Sequence, residues 1–297
     1  MIPRVMITGA GAQLADPLHA EFSGSGALLA LGHAELDIAD HVAVGRCVAD
    51  FKPTLIVNCA AYNHVDKAED EPEAALLANA FGVRVLARAA MGQDAAFVHY
   101  STDFVFDGRA GRPYTEEDAP RPPSVYGSSK LLGEWFALEA PRGYVLRVAS
   151  LFGGARAKSS VDRIVDAIVE GREARVFSDR TASPSYVCDV AGATRAVVAK
   201  GAPGLYHCVG TGSCTWLELA REAAKLLGRE HEARLTPVLS SEVPLRAVRP
   251  QFAALSNAKM AAIAPMPTWQ DALARYIALR RAGLAELPEE TRPTEFR

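Results

Sequence analysis

Short apolar runs of strand length recur through the first half of the chain, and a stretch with helical spacing lies between each and the next. The runs are Arg4–Thr8, Leu28–Leu31, Thr54–Asn58, Ala96–Tyr100 and Tyr144–Arg147. They are unbroken rather than alternating, which is how parallel strands buried on both faces read. Between them lie helical patterns: one from the Gly9–Ala15 turn to about Phe22, and one from Asp37–Asp40 through Phe51, with Asp40 as its N-cap. A third is Ala-rich, follows Val65-Asp66-Lys67-Ala68-Glu69, contains Asn79 and reaches about Met91. A fourth runs from Ser124 through Lys130 to Leu138. Strand and helix in alternation predict an α/β fold built on a doubly wound parallel sheet. Beyond Arg147 the alternation loosens. A helix over 161–170, a short strand near Arg175–Phe177 and the turn Pro184-Ser185-Tyr186 precede a helix starting at Asp189. A strand at Gly204–Cys208 and helices at Trp216–Leu227 and Trp269–Leu279 follow. The expected division is a mainly dinucleotide-binding domain over 1–150, a smaller C-terminal substrate-binding part over 151–285 with elements returning to the sheet, and a polar tail over 286–297.

Composition narrows the class without naming the chemistry. Hydrophobic residues make up 49 % and charged residues 23 % of the 297, an ordinary globular balance. A net charge of −3 and a pI near 6.2 give no general basic surface, so nucleic acid is not expected as a partner, although a local basic pocket for a small anion stays open. Five cysteines, odd in number and without Cys-x-x-Cys spacing, indicate neither a disulfide framework nor a structural metal site, and read as small buried hydrophobes. The opening Met-Ile-Pro-Arg enters a strand at once and no apolar stretch reaches spanning length. The expectation is therefore a cytoplasmic protein with no membrane partner.

Three stretches carry candidate chemistry. The first is the strand, glycine turn and helix at the start of the chain, a Rossmann-type entry in which a helix N-terminus offers free N–H groups to a pyrophosphate. Stepping by three from Gly9 gives Ala12 and Ala15 where glycines are usual, with Gly11 out of phase, so a cofactor turn and a purely structural turn both remain open. Pro17 is a further oddity inside the helix that follows. Gly32-His33 stands where an acid or an arginine would choose between NADH and NADPH, leaving that choice open. The second stretch is Ser101-Thr102-Asp103 at the carboxyl end of a strand, the edge where ligands bind in open α/β sheets. The third is Tyr126 with Lys130, four apart and so on one helix face, where an ammonium could lower the pKa of a proton-exchanging phenol. Alone, that pair is as common as any surface pair. Arg249, in an apolar proline-containing loop, fits either a bidentate diphosphate clamp or a structural ion pair. His99, His207, Trp135, Trp216 and Trp269 read as packing residues, and Glu116-Glu117-Asp118 as a solvated turn.

Taken in order, many of these segments resemble the extended short-chain dehydrogenase/reductase superfamily and, within it, the dTDP-4-dehydrorhamnose reductase family. The resemblance covers residues 4–280 and rests on Thr8-Gly9-Ala10 with Gln13-Leu14, Leu36-Asp37-Ile38, Asn58-Cys59-Ala60-Ala61-Tyr62, Val65–Glu69 and Asn79-Ala80. It continues through Ser101-Thr102-Asp103, Val105–Gly108, Pro113-Tyr114, Tyr126-Gly127 with Ser129-Lys130, Leu146-Arg147, Tyr206-His207, Trp216, Arg249-Pro250 and Leu255-Ser256. It implies reduction of the 4-keto group of a nucleotide-activated deoxysugar, by default dTDP-4-dehydro-L-rhamnose, with NADPH as cofactor and NADH possible, in a monomer or homodimer. Thr102, Tyr126 and Lys130 would be catalytic. Gly9, Gly11, Ala12, Gln13, Leu14, Asp37, Ile38, Ala60, Ala61, Tyr62 and Asn79 would line the cofactor, together with Tyr126 and Lys130. Asp103, Val105, Ser150 and Arg249 would join Thr102 and Tyr126 on the substrate; no metal is implied. The chain departs from the family pattern at Ala12, at Ala15, at Ser150, where many members carry a sugar-facing tryptophan, and at Pro184-Ser185, where Pro-Thr is usual. The alternatives are a ketoreductase or epimerase for another nucleotide-sugar, and a non-catalytic NADP-binding regulatory subunit similar to the methionine adenosyltransferase beta subunit.

Overall fold

The structure is a computed structural model and describes residues 3–154 and 159–286. Strand β1 (Arg4–Thr8) turns into helix α1 (Ala15–Phe22), and β2 (Ala27–Leu31) leads to α2 (His41–Phe51). After β3 (Leu55–Asn58) comes one long helical run: α3 (Pro72–Leu76), a π turn over Leu77–Phe81, and α4 (Gly82–Gly92). Next are β4 (Ala96–Thr102), α5 (Val125–Leu138) and β5 (Gly143–Val148). The second half supplies β6 (Leu151–Phe152), α6 (Ser160–Val169), β7 (Ala174–Phe177), β8 (Thr181–Ala182), β9 (Ser185–Tyr186) and α7 (Val187–Lys200). β10 (Gly204–His207), β11 (Cys214–Thr215), α8 (Trp216–Leu227), β12 (Leu235–Val238), α9 (Ala258–Ala261) and α10 (Trp269–Glu286) complete it.

Six parallel strands form the main sheet in the order β10-β5-β4-β3-β1-β2. Successive residues of a strand face opposite sides, so each buried run feeds two cores at once. Met6, Ile56 and Phe97 point to the face covered by α2 and α4, while Ile7, Val57 and Val98 point to the face covered by α1 and α7. All seven residues of β4 are buried. Truncating a fully buried side chain such as Ile56 to alanine costs about 2–5 kcal/mol. The chain leaves β1 toward β2 on one side and returns to β3 on the other, which opens a crevice at the carboxyl ends of β1 and β3. The register is level there, with Thr8 opposite Asn58 and Asn58 opposite His99.

Several expectations are corrected by these elements. Pro17 disturbs nothing, because α1 begins at Ala15 and the carbonyl four residues back belongs to Gln13, ahead of the helix. The run Pro72–Gly92 does reach spanning length, at 21 residues and a mean hydropathy of 1.3 in its most apolar window. It is a core helix, with Val83, Leu86, Ala87 and Ala90 buried beneath α2 and α5. Strand β12, for which the sequence reading has no element, pairs in parallel with β7. Trp135 is 60 % exposed rather than packed, whereas Trp269 is buried. Cys188 is exposed and Cys47 half-buried, while Cys59, Cys208 and Cys214 are the buried apolar residues expected. Residues 287–297 of the expected tail lie outside the described residues.

Candidate active site

Gly9 and Gly11 take φ values of +72° and +88°, the left-handed region that favours glycine. The Gly11 that looked out of phase is therefore required by the turn. A Cβ on Gly9 would also lie 2.4 Å from the Ala60 nitrogen, so the absent side chain is what lets the β1 turn close onto the end of β3. Ala12 and Ala15 need no positive φ: Ala15 is buried against the sheet and Ala12 lines the crevice. No side chain caps α1, whose N-cap is Leu14; Ala15 N–H donates to the Ala12 carbonyl at 3.0 Å and Pro17 has no N–H, so the Asp16 N–H is what the first turn leaves to an anion. Gln13 ties the turn to the second half through Nε2 donating to the Gly153 carbonyl at 2.9 Å. Beneath the turn, Asn58 Oδ1 accepts from the Thr8 hydroxyl at 2.7 Å and from Ala60 N–H at 3.0 Å, while its Nδ2 donates to His99 Nδ1 at 3.2 Å. His99 is wholly buried and held neutral, chiefly by burial and then by the charge of Lys130.

Tyr126 and Lys130 sit one turn apart on α5. Two acceptors fix the start of that helix: Ser124 Oγ takes Gly127 N–H at 3.2 Å, and Glu69 Oε1 takes Val125 N–H at 2.9 Å from 56 residues away. Gly127 lets α5 press against the residues after β4, since a Cβ there would come within 2.3 Å of the Phe104 carbonyl. Phe104 meets the Tyr126 ring edge-on at 6.0 Å. Thr102 ends β4, its hydroxyl accepting from Phe104 N–H at 3.2 Å and donating to Asp103 Oδ1 at 3.0 Å. Burial pushes the Asp103 carboxyl up to about 7, opposed first by the Thr102 hydrogen bond. Lys130 Nζ donates to the Tyr100 carbonyl at 2.5 Å. Burial lowers its ammonium to about 8, against the opposing charge of Glu134. The expected lowering of the Tyr126 pKa is not what the structure gives. Burial first, and the Asp103 carboxylate second, push the phenol up, while Thr102 draws it back. A phenol so placed keeps its proton at neutral pH, as a donor must.

Behind this group lies a buried ion pair. Arg147 donates to Glu134 through Nε at 2.8 Å and through a terminal nitrogen at 2.7 Å, and the Ser101 hydroxyl donates to the same carboxylate at 2.5 Å. Each side chain of the pair is 2 % exposed. His207, expected to be a packing residue, meets Phe106 edge-on, its Nε2 accepting from Arg147 at 3.3 Å and its Nδ1 donating to the Ser256 carbonyl at 3.2 Å; burial draws its pKa down to about 3. Glu116 is no solvated turn residue, since it accepts from His207 N–H at 2.8 Å and closes the end of β10.

A cleft of about 960 Å³ joins these pieces. Of the residues expected on the cofactor or substrate, Ala12, Gln13, Leu14, Ala60, Ala61, Thr102, Asp103, Tyr126, Lys130, Ser150 and Arg249 line it. Others do not. Ile38 is buried against the helix at Gly82, exposed Asp37 accepts from Ala39 N–H at 2.9 Å, and Val105 is fully buried with Phe106 and Tyr114. Asn79 sits in the π turn, where its amide holds Tyr62 N–H and C=O at 2.9 and 3.0 Å and the Ser129 hydroxyl at 3.0 Å, so it braces the site from behind. Tyr62 itself donates to Glu71 at 2.5 Å, away from the cleft lining. Arg249 faces the cleft with both terminal nitrogens on Asp66, at 2.9 and 2.6 Å, so of the two open readings the ion pair is the one formed. Ser150 holds a left-handed φ of 46°. The far wall brings Arg163, Arg172, Arg175 and Arg180, none of them a site candidate from the sequence, and Trp216, which the sequence reads as a packing residue. Five arginines against Asp103 and Glu173 make the cleft electropositive despite the acidic chain.

A doubly wound parallel sheet with a glycine turn, a strand-end threonine and a buried Tyr–Lys pair around one cleft defines an NAD(P)-dependent oxidoreductase of the short-chain dehydrogenase/reductase class. Within it, the chain belongs to the family described as RmlD substrate binding domain, whose model matches residues 3–281. It is 37 % identical over 281 residues to a dTDP-4-dehydrorhamnose reductase of Streptomyces griseus, covering 91 % of this chain and 92 % of the relative. It is 34 % identical to a dTDP-4-keto-6-deoxy-D-glucose reductase of Streptomyces niveus, covering 95 % and 99 %. The crystal structure of a dTDP-4-dehydrorhamnose reductase from Bacillus anthracis in complex with NADP superposes with a TM-score of 0.87 at 30 % identity, covering 94 % and 100 %.

Proposed function

We propose that the protein uses NADPH to reduce the 4-keto group of a dTDP-activated deoxysugar, with dTDP-4-dehydro-L-rhamnose as the default substrate. The observation that carries this reading is the meeting of Thr102, Tyr126 and Lys130 in the same cleft as the glycine turn. The residues fit the dinucleotide. The Gly9 cradle would be filled by a Cβ, the α1 N-terminus is uncapped, and Lys130 uses one of its three donors on Tyr100. Ala12, Gln13, Leu14, Ala60 and Ala61 would hold it, and when bound it supplies a hydride to the carbonyl carbon.

The chain's own part is to bind, orient and move one proton. Thr102 Oγ1 would hydrogen-bond the sugar carbonyl oxygen and Tyr126 Oη would deliver its proton to that oxygen as charge develops. The phenolate left behind is stabilised by the ammonium of Lys130 one helical turn away. The arginines of the far wall would receive the diphosphate. The same reading places the reaction in the cytoplasm, in a monomer or homodimer, with neither nucleic acid nor membrane as partner.

A second reading, another 4-keto hexose on the same nucleotide, is favoured by Ser150, which lines the cleft where the family resemblance implies a tryptophan, and by the Streptomyces niveus relative. The test is to supply NADPH with a panel of dTDP-4-keto-6-deoxyhexoses and follow the nicotinamide absorbance. Consumption with the rhamnose precursor supports the first reading, and consumption only with the D-gluco isomer supports the second. No consumption with any of them, together with NADP binding, would return the chain to the regulatory-subunit alternative.

A further inference from the structure

The chain between β12 and α9 forms a loop with both feet on one turn of the second half. Ser240, the first foot, donates to Asp179 from its N–H at 3.0 Å and from its hydroxyl at 2.5 Å. Gln251, the second, donates from Nε2 to the same carboxylate at 3.2 Å, and its carbonyl accepts from Thr181 N–H at 2.7 Å. Pro250 beside it is buried against Gly108, where an added Cβ would lie 2.7 Å from the Pro250 Cβ. Between the feet the packing is thin. Of residues 241–249 only Ala247 is buried, and Val248 is 65 % exposed. Val243, Leu245 and Arg249 line the cleft, and the same three residues also line a second cavity of about 320 Å³ with Ala247 and Arg180. The loop therefore borders open volume twice instead of resting on a core, which is the character of a segment that opens at low cost in free energy.

What ties this loop to the first half is charge. Asp66 and Asp70 flank the single helical turn Lys67–Glu69 that follows β3. Arg246 donates to Asp70 from Nε at 3.2 Å and from a terminal nitrogen at 2.7 Å, while Asp66 accepts Ala247 N–H at 3.0 Å and both terminal nitrogens of Arg249. The same turn supplies Glu69, whose carboxylate fixes Val125 at the start of α5, next to Tyr126. We propose that residues 241–249 are a lid over the cleft, latched shut by Asp66 and Asp70, and that the ligand leaves only when the latch breaks. The partners of the Arg246–Asp70 pair are 65 and 57 % exposed, so this half of the latch is weak and screened by salt. Asp66, with three donors on one carboxylate, carries the larger share. The proposal rests on the nucleotide-ketosugar reading above for its ligand and adds a step to it, in which lid opening sets the rate of release.

Two measurements on the full chain test the lid independently: release of dTDP-L-rhamnose from its complex with protein and NADP, chased with excess dTDP in a stopped-flow instrument, and tryptic cleavage after Arg246 in the free protein. Neither Asp70 nor Arg246 lines the cleft, so Asp70→Asn reaches the ligand only through the loop. It should speed release by up to about fivefold, the range for an exposed pair, and Asp66→Asn with Asp70→Asn by at least about tenfold. The charge swap Asp70→Arg with Arg246→Asp returns release to within about twofold of wild type, which a folding defect would not do. Cleavage after Arg246 should quicken in the double asparagine variant while the rest of the chain stays intact. Release and cleavage at wild-type rates in that variant overturn the proposal, as does cleavage throughout the chain, which would make Asp66 and Asp70 supports of the fold instead of a latch. Failure of dTDP-L-rhamnose to bind the wild type would count against the nucleotide-ketosugar reading and leave the cleavage comparison to decide the lid.

Discussion

Glutamine in place of Glu134 removes a charge from the most enclosed ion pair beside the site. Both partners are 2 % exposed, and three hydrogen bonds converge on the carboxylate: two from Arg147 at 2.8 and 2.7 Å and one from Ser101 at 2.5 Å. An amide keeps one acceptor oxygen but turns an NH₂ toward the guanidinium, leaving Arg147 a buried cation short of its partner. Breaking one side of such a pair costs about 3–5 kcal/mol. For a chain of this length that corresponds to a fall in Tm of roughly 6–20 °C. A second effect follows from position. Glu134 lies four residues beyond Lys130 on α5 and is the first influence opposing the burial that lowers the Lys130 ammonium to about 8. A buried lysine with a depressed pKa is charged below that value and loses its proton as pH rises through it. In Glu134→Gln the loss comes at lower pH, so the alkaline limb of kcat moves toward neutrality. The stability sign agrees: the penalty of holding Lys130 charged is full below about 8 and fades as pH rises toward the unfolded 10.5, and removing Glu134 deepens it. Thermal unfolding at neutral pH and a pH profile of NADPH oxidation measure both effects. Adding Arg147→Met should restore part of the stability, because apolar packing then replaces an unpaired charge. A fall in Tm of less than about 2 °C with an unmoved alkaline limb would refute both the cost assigned to the buried pair and the influence of Glu134 on Lys130.

Two further perturbations probe the glycine turn and the carboxyl beside the phenol. Gly9→Ala places a Cβ 2.4 Å from the Ala60 nitrogen at a φ of +72°, so NADPH affinity measured by calorimetry should fall at least about tenfold through displacement of the turn. Unchanged affinity would make the turn purely structural. Asp103 is raised to about 7 from 3.8, so the fold favours its protonated form: the penalty for ionising it is absent below about 4, grows between 4 and 7, and is full above 7. Asp103→Asn cannot ionise and should flatten the decline of wild-type stability across that window, read from Tm at successive pH values; a decline of equal slope in both proteins contradicts the burial argument.

The parts of this molecule legible in the sequence are those whose cause is local. β1, β3, β4 and β5 read as unbroken apolar runs because both faces of the sheet are covered, and Asp40 announces α2 because its carboxylate accepts from the two N–H groups that follow. Tyr126 and Lys130 share a face because four residues make one turn. What the sequence concealed depends on distant partners. Arg249 is a structural ion pair because Asp66, 183 residues earlier, lies under it. Asn79 looks like a ligand residue until the π turn directs its amide onto Tyr62 and Ser129. β12 carries Pro237 and has no apolar run to announce it; it is one half of a two-stranded sheet, where a missing N–H is tolerated. The shift of the Tyr126 phenol was misjudged for the same reason: spacing placed Lys130 near it, while burial and Asp103 decide the direction.

The central claim is that Tyr126 hands its proton to the carbonyl oxygen of a dTDP-4-ketosugar, and a single-turnover measurement of NADPH oxidation by wild type and Tyr126→Phe tests it most directly. The phenylalanine ring keeps the packing against Phe104 and lacks only the hydroxyl, so the rate should fall about 10²- to 10⁴-fold with NADPH affinity preserved. Turnover of Tyr126→Phe at the wild-type rate would contradict the account.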